Sequence, residues 1–250
     1  MSRSSTPDRM RVYAIGDVHG RDDLLARLAT LIEADSQSAR GEVVTVFLGD
    51  YVDRGPNSAA VVERLASGRF PTPIRALRGN HEATLLRFLG EASVLEYWRS
   101  IGGLETLHAY GVDVAKAMRG REYQAARDAF VAVLPSRHRQ FLEATELSVV
   151  LGDYFFCHAG VRPSAPLSAQ SESDLLWIRD GFLSHEQPLG KIIVHGHTPV
   201  ASPEVTANRI NIDTGAFATS TLCCLALEGE ERRFLSVGEQ ATPGGRLATR

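Results

Sequence analysis

Cysteine is scarce, with three residues in 250, at positions 157, 223 and 224. That number is too small, and being odd too ill-matched, to build a disulfide framework, so a reducing cytoplasm is the expected compartment. No apolar run approaches the ~20 residues that a membrane span requires. The opening MSRSSTPDRM also lacks the hydrophobic stretch of a secretory signal, so neither export nor a membrane partner is expected. Excess positive charge is missing too. With 27 Lys and Arg against 30 Asp and Glu the net charge is −3, which leaves no global field to grip nucleic acid. Neither an internal repeat nor a Pro/Gly/Ser linker divides the chain. A single domain over residues 1–250 is therefore predicted, with an ordered core from about 11 to 238 and tails at 1–10 and 239–250.

What is present is the mix of a globular protein, 44% hydrophobic and 23% charged residues. The first eighty residues alternate between strand and helix patterns. Val12 to Ile15, Val43 to Leu48 and Ile74 to Leu77 read as short buried strands. Between the first two, Leu24, Leu25, Leu28, Leu31 and Ile32 fall on one helical face. That rhythm predicts a largely parallel sheet covered by helices. Residues 82–145 are rich in Ala, Leu, Glu and Arg and read as a helical insertion. From Leu147 onward the strand-like runs return (LSVVL, YFFC, KIIVH, RINID, TLCCLALE, RRFLSV), predicting a second, mixed or antiparallel sheet. The fold class is α/β: two mixed sheets packed as a sandwich and flanked by helices, four layers in all, with a helical insertion.

The chemistry sits at strand ends. Three early strands run into GDVHG (16–20), GDYVDRG (49–55) and GNHE (79–82), and two later ones into CHAG (157–160) and GHTP (196–199). In sheets of this kind, sites form beyond the carboxyl ends of the strands. Five such ends would gather Asp17, His19, Asp50, Asn80, His158 and His197 in one hollow. Two carboxylates, three imidazoles and an amide oxygen, with no thiolate, suit manganese, iron or zinc alike, and manganese is the expected ion. One ion would take Asp17, His19 and Asp50, and the second Asp50, Asn80, His158 and His197, with Asp50 bridging. Bridged cations ~3.5–4 Å apart are the arrangement of two-metal hydrolases.

These five motifs in this order resemble the calcineurin-like metallophosphoesterases, and within them the bacterial and phage phosphoprotein phosphatases. The resemblance spans residues 16–199. It implies two divalent ions whose bridging hydroxide attacks phosphorus in line, without a phospho-enzyme. It implies that His81 is the general acid, that Asp53 orients and charges it, and that Arg54 and Arg78 bind the substrate phosphate, with Arg179 as a looser third match. A serine/threonine protein phosphatase, acting on phosphoproteins or small phosphoesters, is the reading this favours. A dinucleoside tetraphosphate (Ap4A) hydrolase is the alternative, and a catalytically silent binding module is another. Asp53 and the GNHE run favour the phosphatase, because Ap4A-cleaving relatives typically depart there. Pro199 stands where broader family members carry a further metal-binding His, so the first ion would have three protein ligands. Glu82 is expected to hold structure, His195 to pack within its strand, and the IDTG run at 212–215 to be a structural loop. Trp98 and Trp177 are expected in the core, Gly102-Gly103 at a helix break near the site mouth, and 137–139 on a solvated helix face.

Overall fold

The computed structural model describes residues 4–115 and 122–238. The expected tail at 239–250 and residues 1–3 lie outside the described residues. Residues 5–9 belong to the packed body rather than to a tail: the Ser5 amide donates to the Asp153 carboxylate, and Thr6 is buried with its hydroxyl accepting from the Gly229 amide.

Two five-stranded sheets form the centre. The first has the order β10-β9-β1-β2-β3, built from Met10–Ile15 (β1), Glu42–Phe47 (β2), Ile74–Ala76 (β3), Thr221–Glu228 (β9) and Glu231–Gly238 (β10). Strands β1, β2 and β3 run parallel, as their helical crossovers require, while β9 pairs antiparallel to both β1 and β10. The second has the order β4-β5-β6-β8-β7, from Ser148–Leu151, Tyr154–Cys157, Ile192–His195, Arg209–Asn211 and Glu204–Val205. The last two strands thus differ from expectation. They return to the first sheet, because the alternate residues Leu225 and Leu227 fill the gap between the sheets beside Val12 and Ala14.

Side-chain alternation sorts the layers. Val12, Ala14, Val46 and Leu48 of the first sheet meet Val149, Tyr154, Phe156, Val194 and Ile210 of the second, forming the inside of the sandwich. Their neighbours Tyr13, Ile15 and Phe47 face outward under helix α1 (Asp22–Ser36), helix α2 (Ser58–Ala66) and helix α3 (Asn80–Gly90). Phe155, Cys157 and Ile193 face the other way, beneath Leu175 and Phe182 of the helices 172–177 and 180–183. On α1, Leu24, Leu25, Leu28 and Ile32 are buried, whereas Leu31, at the edge of the same stripe, is 41% exposed.

Helix α3 opens the helical segment, followed by α4 (Leu95–Trp98), α5 (Gly103–Ala109) and helices over 123–133 and 136–143. The expected solvated face at 137–139 is interrupted by His138, which is buried between the Tyr110 hydroxyl and the Glu63 carboxylate. Among the described residues no helix is long and apolar enough to cross a membrane.

Candidate metal centre

Every predicted metal ligand lies just beyond a strand of one of the two sheets, and the strands deliver them to a common hollow. Asp17 and His19 follow β1, Asp50 follows β2, Asn80 opens α3 after β3, His158 follows β5 and His197 follows β6. All six are buried. The backbone is bent hard to bring them there. Among the described residues seven non-glycine residues have positive φ, and five of them are His19, Asp50, Asp53, Arg54 and His197. Such conformations are held only where surrounding contacts over-determine them, and they concentrate at functional sites. Close approach matters equally: a Cβ on Gly79 would stand 2.1 Å from Asp50 Oδ1 and 2.4 Å from its amide.

Tautomers follow from the backbone. His19 Nδ1 lies 2.8 Å from the Val52 carbonyl and His158 Nδ1 lies 3.0 Å from the Leu48 carbonyl. A carbonyl can only accept, so each Nδ1 carries the hydrogen and each Nε2 is a bare lone pair. Those lone pairs point at the two oxygens of one carboxylate, His19 Nε2 3.4 Å from Asp50 Oδ2 and His158 Nε2 3.4 Å from Asp50 Oδ1. On the second side, His158 Nε2 is also 2.9 Å from Asn80 Oδ1 and 3.1 Å from His197 Nδ1. The buried Nε2 of His19 has no hydrogen-bond partner. Imidazole lone pairs converging on the two oxygens of one buried carboxylate fit divalent metal ions, with Asp50 presenting one oxygen to each side. Electrostatics agree. Burial, reinforced by neighbouring cationic and imidazole groups, pulls His19 and His158 well below the ordinary imidazole range, so neither is an ion-pair cation. Burial and the nearby carboxylates push Asp17 and Asp50 well up, the signature of unneutralised negative charge.

His19, Asp50 and His81 offer donor atoms within 4.8 Å of one another. His81, however, is committed elsewhere. Its Nδ1 is 2.6 Å from Asp53 Oδ2, and its Nε2 is 3.1 Å from the Arg54 guanidinium. Burial, with the Arg54 guanidinium beside it, pulls His81 down to about 3, and burial pushes Asp53 up to about 7, so both groups are biased toward their neutral forms. Asp17, expected beside His19 and Asp50, is buried and turns both oxygens to the His197 amide, at 3.2 and 3.3 Å.

The predicted arginines separate. Arg54 lies over the Phe217 ring at 4.9 Å and faces the cradle. Arg179 donates weakly to the His197 carbonyl at 3.4 Å, beside the second group of ligands. Arg78 donates through Nε to Thr145 Oγ1 and through Nη2 to the Glu143 and Thr145 carbonyls, which anchor one side of its guanidinium to the helical segment.

A match to the family model described as calcineurin-like phosphoesterase covers residues 10–219. The chain belongs to that family. A curated relative from Oceanobacillus iheyensis, "Bis(5'-nucleosyl)-tetraphosphatase PrpE [asymmetrical]", is 27% identical over 92% of this chain and 93% of its own. Among solved structures, a candidate diadenosine tetraphosphatase superposes with a TM-score of 0.63 at 19% identity, covering 95% of this chain and 98% of that one. A serine/threonine phosphatase from Saccharomyces cerevisiae with similarity to human phosphatase PP5 gives 0.58 at 16% identity, covering 95% and 82%. At those identities both superpositions speak for the fold alone.

Several supports of the phosphoesterase site had no motif to announce them. Trp98 Nε1 donates to Asp53 Oδ2 at 2.7 Å, and the Thr106 hydroxyl donates to Asp53 Oδ1 at 2.6 Å while accepting from the Asp53 amide at 2.8 Å. Gly102 packs so tightly on Arg54 that an added Cβ would stand 2.7 Å from its amide nitrogen, and its carbonyl accepts from that amide. The helical segment therefore buttresses Asp53 and Arg54. Asp213, in the run expected to be a structural loop, is a buried carboxylate close enough to push Asp17 up. Glu82 is structural as expected: its carboxylate accepts from the amides of Asp50, Tyr51, Val52 and Gly79. His195 is buried in its strand with an edge-on contact to Phe182, also as expected. Trp177 departs from expectation. It ends its helix with Leu175 and Leu176 turned into the core and is itself 39% exposed beside His197.

Proposed function

We propose that this phosphoesterase hydrolyses dinucleoside tetraphosphates such as Ap4A, using two divalent ions, manganese foremost, held by Asp17, His19, Asp50, Asn80, His158 and His197. The observation that carries the reading is the converging lone-pair cradle around Asp50, combined with full-length curated relatives that are named for this activity. Bound there, divalent ions supply Lewis acidity toward phosphoryl oxygens and lower the pKa of water. The chain's own residues do the rest. Arg54 and Arg179 flank the cradle and present planar donor forks to a polyphosphate. Asp53, fixed by Trp98 and Thr106, sets the orientation of His81. Purified protein with Mn²⁺ should turn over Ap4A faster than a phosphoserine or phosphothreonine peptide. Faster turnover of the phosphopeptide by orders of magnitude would overturn this reading.

One observation favours protein-phosphatase activity as a second reading. A seryl alkoxide needs a proton to leave, and His81 is held by Asp53 in the manner of a general acid. A phosphate-type leaving group hardly needs that proton. His81→Ala is therefore expected to slow hydrolysis of a phosphoserine peptide by about 10²–10⁴-fold and that of Ap4A by much less. Equal losses on the two substrates would rule out proton donation by His81.

A further inference from the structure

Eight large hydrophobic side chains are exposed among the described residues, and three are aromatic: Tyr97, Trp177 and Phe217, at 48%, 39% and 37%. All three border the metal cradle. The Trp177 ring stands 6.3 Å from that of His197, with Tyr97 a further 6.4 Å from Trp177. The Phe217 ring stands 5.5 Å from His19 on the other side and lies under Arg54. Aliphatic exposure is ordinary, but aromatic rings left in water around one polar hollow mark a ligand surface. Phe217 already has an occupant, since it carries the Arg54 guanidinium. Among the described residues no guanidinium or ammonium group stacks on Trp177 or Tyr97.

We infer that Trp177, backed by Tyr97, is the stacking platform for the nucleobase nearest the phosphate under attack. The inference rests on the proposed nucleotide substrate and names what selects it. Charge and shape complement each other across a short distance: Arg54 and Arg179 suit the anionic chain, while the Trp177–Tyr97 flank offers flat apolar area for a purine or pyrimidine ring. A base stacked within one ring of His197 leaves little chain between itself and the cradle. The platform therefore favours attack at the phosphate adjoining a nucleoside over attack at the middle of the tetraphosphate. A phosphoseryl residue would leave both rings uncovered.

The test uses the manganese-loaded full chain. Of its two tryptophans Trp98 is fully buried, so Trp177 is the solvent-facing reporter. AMP should quench the intrinsic fluorescence and ribose 5-phosphate should not. Trp177→Ala should raise KM for Ap4A by roughly 5- to 150-fold, the range that one base–aromatic stack supports, with most of the loss in KM because the contact is remote from the reacting phosphorus. Trp177→Phe, which keeps an aromatic face, should recover most of that loss, and Tyr97→Ala should raise KM less. Equal quenching by AMP and ribose 5-phosphate, or an unmoved KM in Trp177→Ala, would overturn the platform. So would a Trp177→Phe variant as impaired as Trp177→Ala, which would mark a packing role. Should Trp177→Ala fail to fold, the quenching and the Trp177→Phe and Tyr97→Ala constants still decide. The two readings fail separately. A wild type that leaves Ap4A intact yet shows base-dependent quenching sinks the proposed function and keeps the platform, whereas Ap4A turnover without such quenching does the reverse.

Discussion

Asp50→Asn is expected to lower turnover of any phosphoester by about 10³-fold or more, since the Lewis-acid contribution at stake is several kcal/mol and each 1.36 kcal/mol is tenfold. The change is nearly isosteric, so the fold should survive. What it removes is the second acceptor oxygen. Asp50 Oδ2 faces His19 Nε2 and Oδ1 faces His158 Nε2, each at 3.4 Å. An asparagine can serve one side with its carbonyl but must turn an NH2 group toward the other, where it would donate to an imidazole lone pair and fill the cation's place. Elemental analysis of the variant should therefore show metal reduced to one ion per chain or fewer. Circular dichroism should be unchanged. Wild-type turnover and metal content in Asp50→Asn would contradict a shared carboxylate, and with it the whole account of the cradle.

The ligand cradle was legible in the sequence because its residues obey a local rule. Each follows a short β-branched or apolar run and stands within two residues of a glycine, and strand ends of a parallel sheet meet at one edge. Asp17, His19, Asp50, Asn80, His158 and His197 could be placed together on that basis before any coordinates. The supports could not. Trp98 and Thr106 reach Asp53 from across the helical segment, 45 and 53 residues away. Nothing local distinguishes a tryptophan that packs from one that packs and also donates to a buried carboxylate. Asp213 and Trp177 were missed for a related reason. Strand patterns fix which residues alternate but not which element they will face, so the neighbour of Asp17 and the exposure of Trp177 were set by long-range packing. The same indeterminacy hid the return of β9 and β10 to the first sheet. Arg78 stands in the expected motif, and its anchoring to the Glu143–Thr145 turn of the helical segment could not be read from that motif.

Glu82→Ala is expected to give the largest loss of stability of any single change near the site. The Glu82 carboxylate is fully buried and accepts from four backbone amides, those of Asp50, Tyr51 and Gly79 at 2.8–2.9 Å and that of Val52 at 3.3 Å. Leaving a buried amide unmet costs about 1–3 kcal/mol. Several at once, partly relieved by entering water, come to several kcal/mol, or a fall in Tm on the order of 10 °C for a domain of this size. Glu82→Gln separates acceptor capacity from volume. It keeps the shape but replaces one oxygen with an NH2 group that faces the same donors, so it too should lose stability, by less than the alanine. The consequence for the site follows from backbone strain. Asp50 sits at φ 53°, and Glu82 is what clamps the turn around it to the Gly79 segment that carries Asn80. Once the clamp is gone, Asp50 and Asn80 no longer share a fixed separation, and metal affinity should fall by about 10–100-fold, as it does when an outer support of a ligand is removed. A thermal melt and a manganese titration of the same variant test both halves. A Tm within about 2 °C of wild type, or an unaltered manganese affinity, would show that other contacts hold the 50–52 turn.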